Sequence, residues 1–154
     1  MAIAIHAAGP IAEQSAGLHE FSLWVLGRRF PDANDYWDGN WLNVRARVEA
    51  PGALVEAQGA IVFAPELAEF VKQLETLYTT LVGEAALRCM EPNLQVAIQG
   101  DSLGHVAVTL MITPDHMTQS HEFKFDLDQT YLGPFLNGCR SVLSRWPVRA
   151  ETSA

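Results

Sequence analysis

Several short segments of the chain alternate apolar and polar residues, which is the pattern of a β-strand covered on one face. In the segment that begins at Trp41, Leu42 and Val44 alternate with Asn43 and Arg45. Residues typical of turns, such as proline, glycine and aspartate, separate many of these segments. Strands are predicted at 18–26, 41–50, 53–63, 86–90, 93–99, 105–113 and 121–127.

Two longer segments repeat apolar residues at helical spacing, so each predicts a helix with one apolar stripe. Pro65 suits the first turn of the first helix and Gly83 suits its end, while Asp128 is a suitable N-cap for the second. The first stripe consists of Leu67, Phe70, Val71, Leu74, Leu77, Tyr78 and Leu81, and the second of Leu132, Phe135, Leu136, Cys139, Val142, Leu143 and Trp146.

The order of these elements predicts an α+β fold. The expected architecture is an antiparallel β-sheet of about six or seven strands, in the order βββα-ββββα, with two amphipathic helices packed on one face. A length of 154 residues fits one domain. The expected organisation is a flexible N-terminal segment at 1–17, a single α+β domain at 18–148 and a flexible C-terminal tail at 149–154.

The charge of the chain narrows the classes of partner. Eighteen acidic residues oppose ten basic ones, for a formal net charge of −8. Nucleic acids and anionic membranes attract clusters of lysine and arginine, so neither is an expected partner. A basic protein fits the sign of the charge, and a homodimer stays open as an alternative.

Cysteine use and the apolar runs bear on the location of the protein. Cys89 and Cys139 lie among apolar neighbours and outside any C-x-x-C pair, which predicts buried, reduced thiols and a cytoplasmic location. No uninterrupted apolar run approaches the ~18 residues typical of a membrane helix.

Motifs of known catalytic sites do not occur in the chain. It has no H-E-x-x-H zinc pair and no G-x-S-x-G nucleophile motif. Ser102 lies in "GDSLG", which is typical of a hairpin loop, and histidines such as His105, His116 and His121 are best interpreted as surface residues. The prediction is therefore a protein that is not an enzyme and that holds neither cofactor nor metal.

One stretch stands out: "RRFPDANDYWDGNWLNVR", residues 28–45. Its aspartates recur every third residue, but counting from Asp32 the EF-hand ligand positions 5 and 12 fall on Tyr36 and Asn43, so a standard calcium loop is not predicted. The candidate contact residues of this stretch are Asp32, Asp35, Tyr36, Trp37, Asp38 and Trp41.

Two interpretations of this stretch remain open. In the first it is a structural turn: Asp38-Gly39 is a favoured hairpin centre, which would set Tyr36 opposite Trp41 and leave the aspartates to accept backbone amides. In the second it is a protein contact, since partly exposed tyrosine and tryptophan often contribute most of the energy of an interface. Arginines of the adjoining strands, such as Arg28 and Arg45, are candidate counter-charges.

The block "YWDGNWL", Tyr36 to Leu42, resembles a family of small bacterial proteins with a Y-W-D-x-N-W-L block after a first strand. Further matches are Glu66-Leu67 at the first helix, Glu91-Pro92-x-Leu94, and an approximate F-x-x-D-x-x-L around Phe125, Asp128 and Leu132. The similarity covers most of the chain from about residue 18, and some such proteins are similar to WapI-type immunity proteins. The resemblance implies neutralisation of a toxin nuclease by binding and supplies no catalytic residues.

The leading functional hypothesis is therefore a non-enzymatic protein-binding domain, with an immunity protein as its specific form. The alternative is a small-ligand or divalent-metal binding protein, or a small enzyme, that uses the cluster of Asp32, Asp35 and Asp38.

Overall fold

The strands of the protein form two sheets rather than one. The structure, a computed structural model, describes residues 2–7 and 20–150. The α+β class, the mainly antiparallel pairing and the two helices are confirmed, but the described strands divide into two sheets of four. The elements are β1 (Ala2–Ala7), β2 (Glu20–Arg28), β3 (Trp41–Ala50), β4 (Ala53–Phe63), α1 (Ala64–Thr80), β5 (Gly83–Arg88), β6 (Leu94–Gly100), β7 (Val106–Ile112), β8 (Glu122–Leu127) and α2 (Leu132–Arg145).

The first sheet has the strand order β1-β2-β3-β4 and the second the order β5-β6-β7-β8. β1 runs parallel to β2, and all other neighbours are antiparallel. The chain enters α1 directly from β4, so β5 does not form a hairpin with β4 and instead begins a second sheet. Contacts of α1 with β5, of α2 with β1, and of the two helices with each other join both halves.

Both apolar stripes lie in the hydrophobic core, as their spacing predicts. The first five positions of each stripe are buried, whereas the last two are more accessible: Tyr78 and Leu81 in the first stripe, and Leu143 and Trp146 in the second. Tyr78 is half exposed and lies beside Gly133 of α2, where its ring covers the margin of the helix pair. Most of the buried apolar residues of both sheets and both helices form one cluster.

The N-terminal hexapeptide is a strand, although the sequence pattern places it in a flexible segment at 1–17. Its strand β1 pairs in register with β2, from Ala2 opposite Glu20 to Ala7 opposite Val25. Ile3 and Ile5 are buried against the core. Two apolar residues separated by alanine give only a weak strand pattern, and a parallel neighbour leaves no hairpin turn to reveal the pairing. The remainder of the segment, 8–17, lies outside the described residues.

Both cysteines are free and buried, as predicted. Burial raises the pKa of the Cys139 thiol to about 12, and it also raises the pKa of Cys89, with the charges of Glu66 and Glu91 adding to the effect. Such thiols are protonated at neutral pH and are therefore poor nucleophiles. Among the described residues, no helix has the length and apolar character needed to cross a membrane.

Gly138 of α2 is expected to resist substitution, although alanine is normally about 1 kcal/mol better than glycine inside a helix. A Cβ at this position would lie 2.7 Å from Ile5 Cγ2 and 2.9 Å from the Ile5 carbonyl oxygen. Overpacking of this kind costs about 1–3 kcal/mol. We expect Gly138→Ala to lower the free energy of unfolding by up to about 2 kcal/mol in urea denaturation, which is the overpacking cost less the gain in helix propensity.

Gly133 of the same helix provides the matched control. Its nearest neighbours for an added Cβ are ring atoms of Tyr78 at 3.4 Å, an ordinary contact. Gly133→Ala should therefore leave stability unchanged or raise it by up to about 1 kcal/mol. If both variants gained stability, α2 would not be in close contact with β1 at this point.

Candidate functional site

The connection between β2 and β3, residues 29–40, is referred to below as the acidic loop. The predicted two-residue hairpin is wrong, because Asp38–Asn40 forms a short 3-10 helix. The loop closes one residue beyond β2, where the Arg29 amide donates to the Trp41 carbonyl at 2.8 Å. This longer loop brings Tyr36 edge-on against Phe63, with ring centroids 5.3 Å apart, instead of opposite Trp41.

Phe63, the last residue of β4, lies at the centre of a cluster of four aromatic rings. The indole of Trp37 stacks on it with centroids 5.7 Å apart and planes 7° from parallel. Trp41 packs against the same ring at 5.0 Å, and Tyr36 also meets Trp37 edge-on at 5.1 Å. Phe63 is buried, whereas Trp37 is 57% exposed. The cluster therefore caps the end of the core and presents one broad tryptophan surface to solvent.

Asn40 attaches the acidic loop to the C-terminal segment. Its side-chain amide is fully buried and donates to the carbonyl oxygens of Tyr36 at 2.8 Å and Arg149 at 2.7 Å. Its Oδ1 accepts the Arg149 backbone amide at 2.8 Å. The Arg149 guanidinium then donates to the carbonyl oxygens of Pro31 and Ala33. Arg149, the first residue of the predicted flexible tail, thus holds the loop, while 151–154 lie outside the described residues.

Arg28 reinforces this attachment from the end of β2. Its guanidinium donates to the Gly39 carbonyl at 2.6 Å and also to the Pro147 carbonyl. Burial lowers the pKa of Arg28, and the nearby charge of Arg149 lowers it further. Both arginines bind backbone carbonyls in these contacts, and Arg28, one of the candidate counter-charges, forms no ion pair with the loop aspartates.

The three aspartates of the loop do not converge on one point. Asp35 Oδ2 accepts the Asp38 amide at 2.9 Å, the backbone role that the turn interpretation predicts. Asp32 and Asp38 are exposed, and no ion pair in residues 2–7 and 20–150 involves any of the three. The same part of the chain contains no group of three or more His, Cys, Asp or Glu side chains that could hold a metal ion. Arg45 pairs with Glu56 at 2.7 Å instead.

An open groove of about 400 Å³, here called the aromatic groove, runs beside Trp37. Aromatic residues form one side, the first turns of α1 form a second, and β5 with the residue after Cys89 forms the third. Its lining consists of Tyr36, Trp37, Phe63, Pro65, Glu66, Glu69, Gln73, Ala86, Arg88 and Met90. Apart from Tyr36 and Trp37, none of these residues is a sequence-predicted site residue.

Glu66 fixes the shape of this groove. Its carboxylate accepts the Phe63 amide at 3.1 Å and the Met90 amide at 2.7 Å, so it ties the start of α1 to the chain that follows β5. Burial raises the pKa of Glu66, the two amides lower it, and the charge of Glu91 raises it again, with a net increase. Gln73 adds a second tie, since its side-chain oxygen accepts the Ala86 amide at 2.8 Å.

The structure brings together most of the predicted contact residues. Tyr36, Trp37 and Trp41 meet around Phe63, and Asp35 and Asp38 are linked by one hydrogen bond. Asp32 is exposed and makes no hydrogen bond to the other five. The sequence marks Glu66 as a residue of the first turn of a helix, because it lies three residues after Phe63 and just before an apolar stripe. No sequence pattern links Glu66 to Met90 or to Trp37.

Comparison with protein families identifies a relationship over most of the chain. A model described as the immunity protein WapI-like family matches residues 12–147, which include the acidic loop and the aromatic groove. The chain belongs to this WapI-like family. Membership supports a role as an immunity protein and indicates a non-enzymatic one. No curated protein and no solved structure matched the WapI-like chain.

Proposed function

We propose that this protein neutralises a toxin nuclease by binding it directly, and that the acidic loop and the adjoining Trp41 supply the contact. The contact residues are Asp32, Asp35, Tyr36, Trp37, Asp38 and Trp41. The observation that carries the proposal is the position of Trp37, exposed on its outer side and stacked on the buried Phe63. An exposed tryptophan on a rigid base loses little conformational entropy on binding, which favours a strong interface contribution.

Charge supports the same choice of partner. The protein has a formal net charge of −8, and Asp32 and Asp38 are exposed in the same loop as Trp37 and form no ion pair within the described part of the chain. A nuclease that binds nucleic acid carries basic residues. Complementary charges increase the association rate and select the correct partner, and occlusion of the basic surface would block the substrate.

The direct test is co-expression with any toxin-like nuclease that a gene adjoining the one for this chain encodes. We expect the chain to rescue growth and to form a complex with an inactive variant of the toxin in size-exclusion chromatography. Absence of both rescue and complex would overturn the proposal.

Trp37→Ala should locate the contact. We expect the dissociation constant for the inactive toxin to rise by about 30-fold or more, because loss of a central aromatic contact costs about 2 kcal/mol or more. Isothermal titration calorimetry measures this dissociation constant. Leu54→Ala is the matched control, because Leu54 of β4 is also 57% exposed but lies outside the loop; its effect should stay below about 3-fold. Equal effects from the two variants would show that the loop is not the contact.

A further inference from the structure

The aromatic groove combines an apolar surface with negative charge. Trp37 and Met90, both more than half exposed, contribute its apolar surface. Glu66 and Glu69 lie on the α1 side. An occupant therefore needs a flat or apolar part to cover the rings and a positive charge to meet the carboxylates.

The lining of the groove holds one cation, Arg88, against the two carboxylates. Arg88 pairs with Glu84 at 2.8 Å, and Glu84 does not line the aromatic groove. Lys72 approaches Glu69 only to 4.0 Å, and both side chains are mostly exposed, so the pair is weak. Glu91 adds a further negative charge near Glu66. The two carboxylates of the lining, with Glu91 nearby, outnumber its one guanidinium, which favours a cationic occupant.

The aromatic groove is also preorganised, because hydrogen bonds and ring stacking fix the positions of several of its lining residues. Two backbone amides hold the Glu66 carboxylate, and the Gln73 oxygen holds β5 against α1. Trp37 is stacked on Phe63, so its indole plane is set before any partner arrives. Little ordering is required when a ligand enters such a site.

We propose that the aromatic groove receives an arginine side chain of the toxin, with its guanidinium over the exposed face of Trp37 and its N–H groups directed to Glu69 and Glu66. The inference rests on the proposed function and names the partner group that this surface recognises. Arginine fits better than lysine, because its planar guanidinium stacks on aromatic faces, donates in two directions at once and is less strongly hydrated.

A charge-removing variant tests the ion pair without altering the aromatic surface. Glu69 is exposed, and its only ion pair in the described part of the chain is the weak one to Lys72, so Glu69→Gln should leave the fold intact. We expect it to raise the dissociation constant of the inactive toxin about 10-fold. Glu75→Gln, on the same helix and paired with Arg140 at 3.1 Å, is the matched control and should change it less than 2-fold.

A double-mutant cycle identifies the partner residue. Each surface arginine of the inactive toxin is changed to alanine. One of these toxin variants should bind the wild-type chain about 10-fold or more weakly than the unchanged toxin does. The same toxin variant should bind the Glu69→Gln chain with nearly the affinity that the unchanged toxin has for that chain. Lysine at that toxin position should restore only part of the affinity. No coupled arginine, or an unchanged or tighter complex with Glu69→Gln, overturns the inference.

The remaining outcomes separate this inference from the proposed function. If Trp37→Ala weakens the complex while Glu69→Gln does not, binding through the loop stands and only the arginine site fails. If the wild-type chain forms no complex, both fail. If Glu69→Gln changes the self-association of the chain in light scattering and not toxin binding, the groove belongs to a homodimer and the arginine site is overturned.

Discussion

Phe70→Ala is expected to lower the free energy of unfolding by about 3–5 kcal/mol, and Phe135→Ala by a similar amount, because each leaves a cavity in a packed interior. Phe70 of α1 is 1% exposed and Phe135 of α2 is 3% exposed. Both side chains belong to the hydrophobic core cluster that the two sheets and the two helices share. Urea denaturation followed by circular dichroism measures the effect.

The two rings also contact each other, so their effects should not add. Their centroids are 6.1 Å apart and their planes lie at 74°, an edge-to-face pair. Such a pair contributes about 0.5–1.5 kcal/mol beyond the area that it buries. We expect the double variant to lose less stability than the sum of the two single variants by roughly that amount.

Leu103→Ala is the control for these measurements. Leu103 is 78% exposed in the turn between β6 and β7, and its removal should change stability by less than about 0.5 kcal/mol. Costs near 1 kcal/mol for both phenylalanines, or strict additivity in the double variant, would contradict the close packing of α1 on α2.

The helices could be predicted because their signals are local. In α1 the residues that reach the core, from Leu67 to Leu77, are spaced at three and four along the chain. Pro65 and Glu66 mark its start in the same local way. The helix itself therefore follows from one continuous stretch of sequence, whatever its partners are.

The division into two sheets could not be predicted in this way. The residue patterns of β4 and β5 indicate that each is a strand, but they do not say which strands are neighbours. That choice depends on the chain entering α1 immediately after Phe63 and on α1 packing along β5. Strand β1 was missed for a related reason, since only its parallel pairing with β2 gives Ile3 and Ile5 a place in the core.

The candidate site could be predicted in part, because one portion of it is local in sequence and the other depends on long-range contacts. The aromatic and acidic composition of the loop identified Trp37 and its neighbours. The groove beside it depends on contacts between distant residues: Met90 bonds to Glu66 across 24 positions, and Arg149 bonds to Asn40 across 109. Periodicity and turn residues report only local structure, so they do not predict hydrogen bonds between such distant residues. The sequence therefore does not identify Asn40 as the residue that anchors the loop.

Asn40→Asp is expected to lower the free energy of unfolding by about 2–4 kcal/mol at neutral pH. The substitution keeps an acceptor for the Arg149 amide but replaces the two N–H donors, so a buried carboxylate oxygen would face the carbonyl oxygens of Tyr36 and Arg149. Each buried polar group left without a partner costs about 1–3 kcal/mol, and a buried charge costs more. Urea denaturation at pH 7 measures this loss.

The pH dependence of the stability of Asn40→Asp tests whether the buried negative charge causes the loss. Burial and the facing carbonyl oxygens should raise the pKa of the new carboxyl in the folded state above its unfolded value. The protonated form can donate one hydrogen bond, so the loss relative to the wild type should shrink as the pH falls from 7 through the raised pKa. A loss that is constant from pH 7 to about pH 4 would exclude this explanation.

The same variant should weaken toxin binding, because it releases the loop that carries Trp37. Asn137→Asp is the control: Asn137 is exposed on α2, and its change should affect stability by less than about 0.5 kcal/mol and leave binding unchanged. Binding is measured at a temperature where both variants are folded, so that a lower affinity of Asn40→Asp reflects the loop and not unfolding. If Asn40→Asp matched Asn137→Asp in stability and in affinity, the attachment of the loop to Arg149 would contribute to neither.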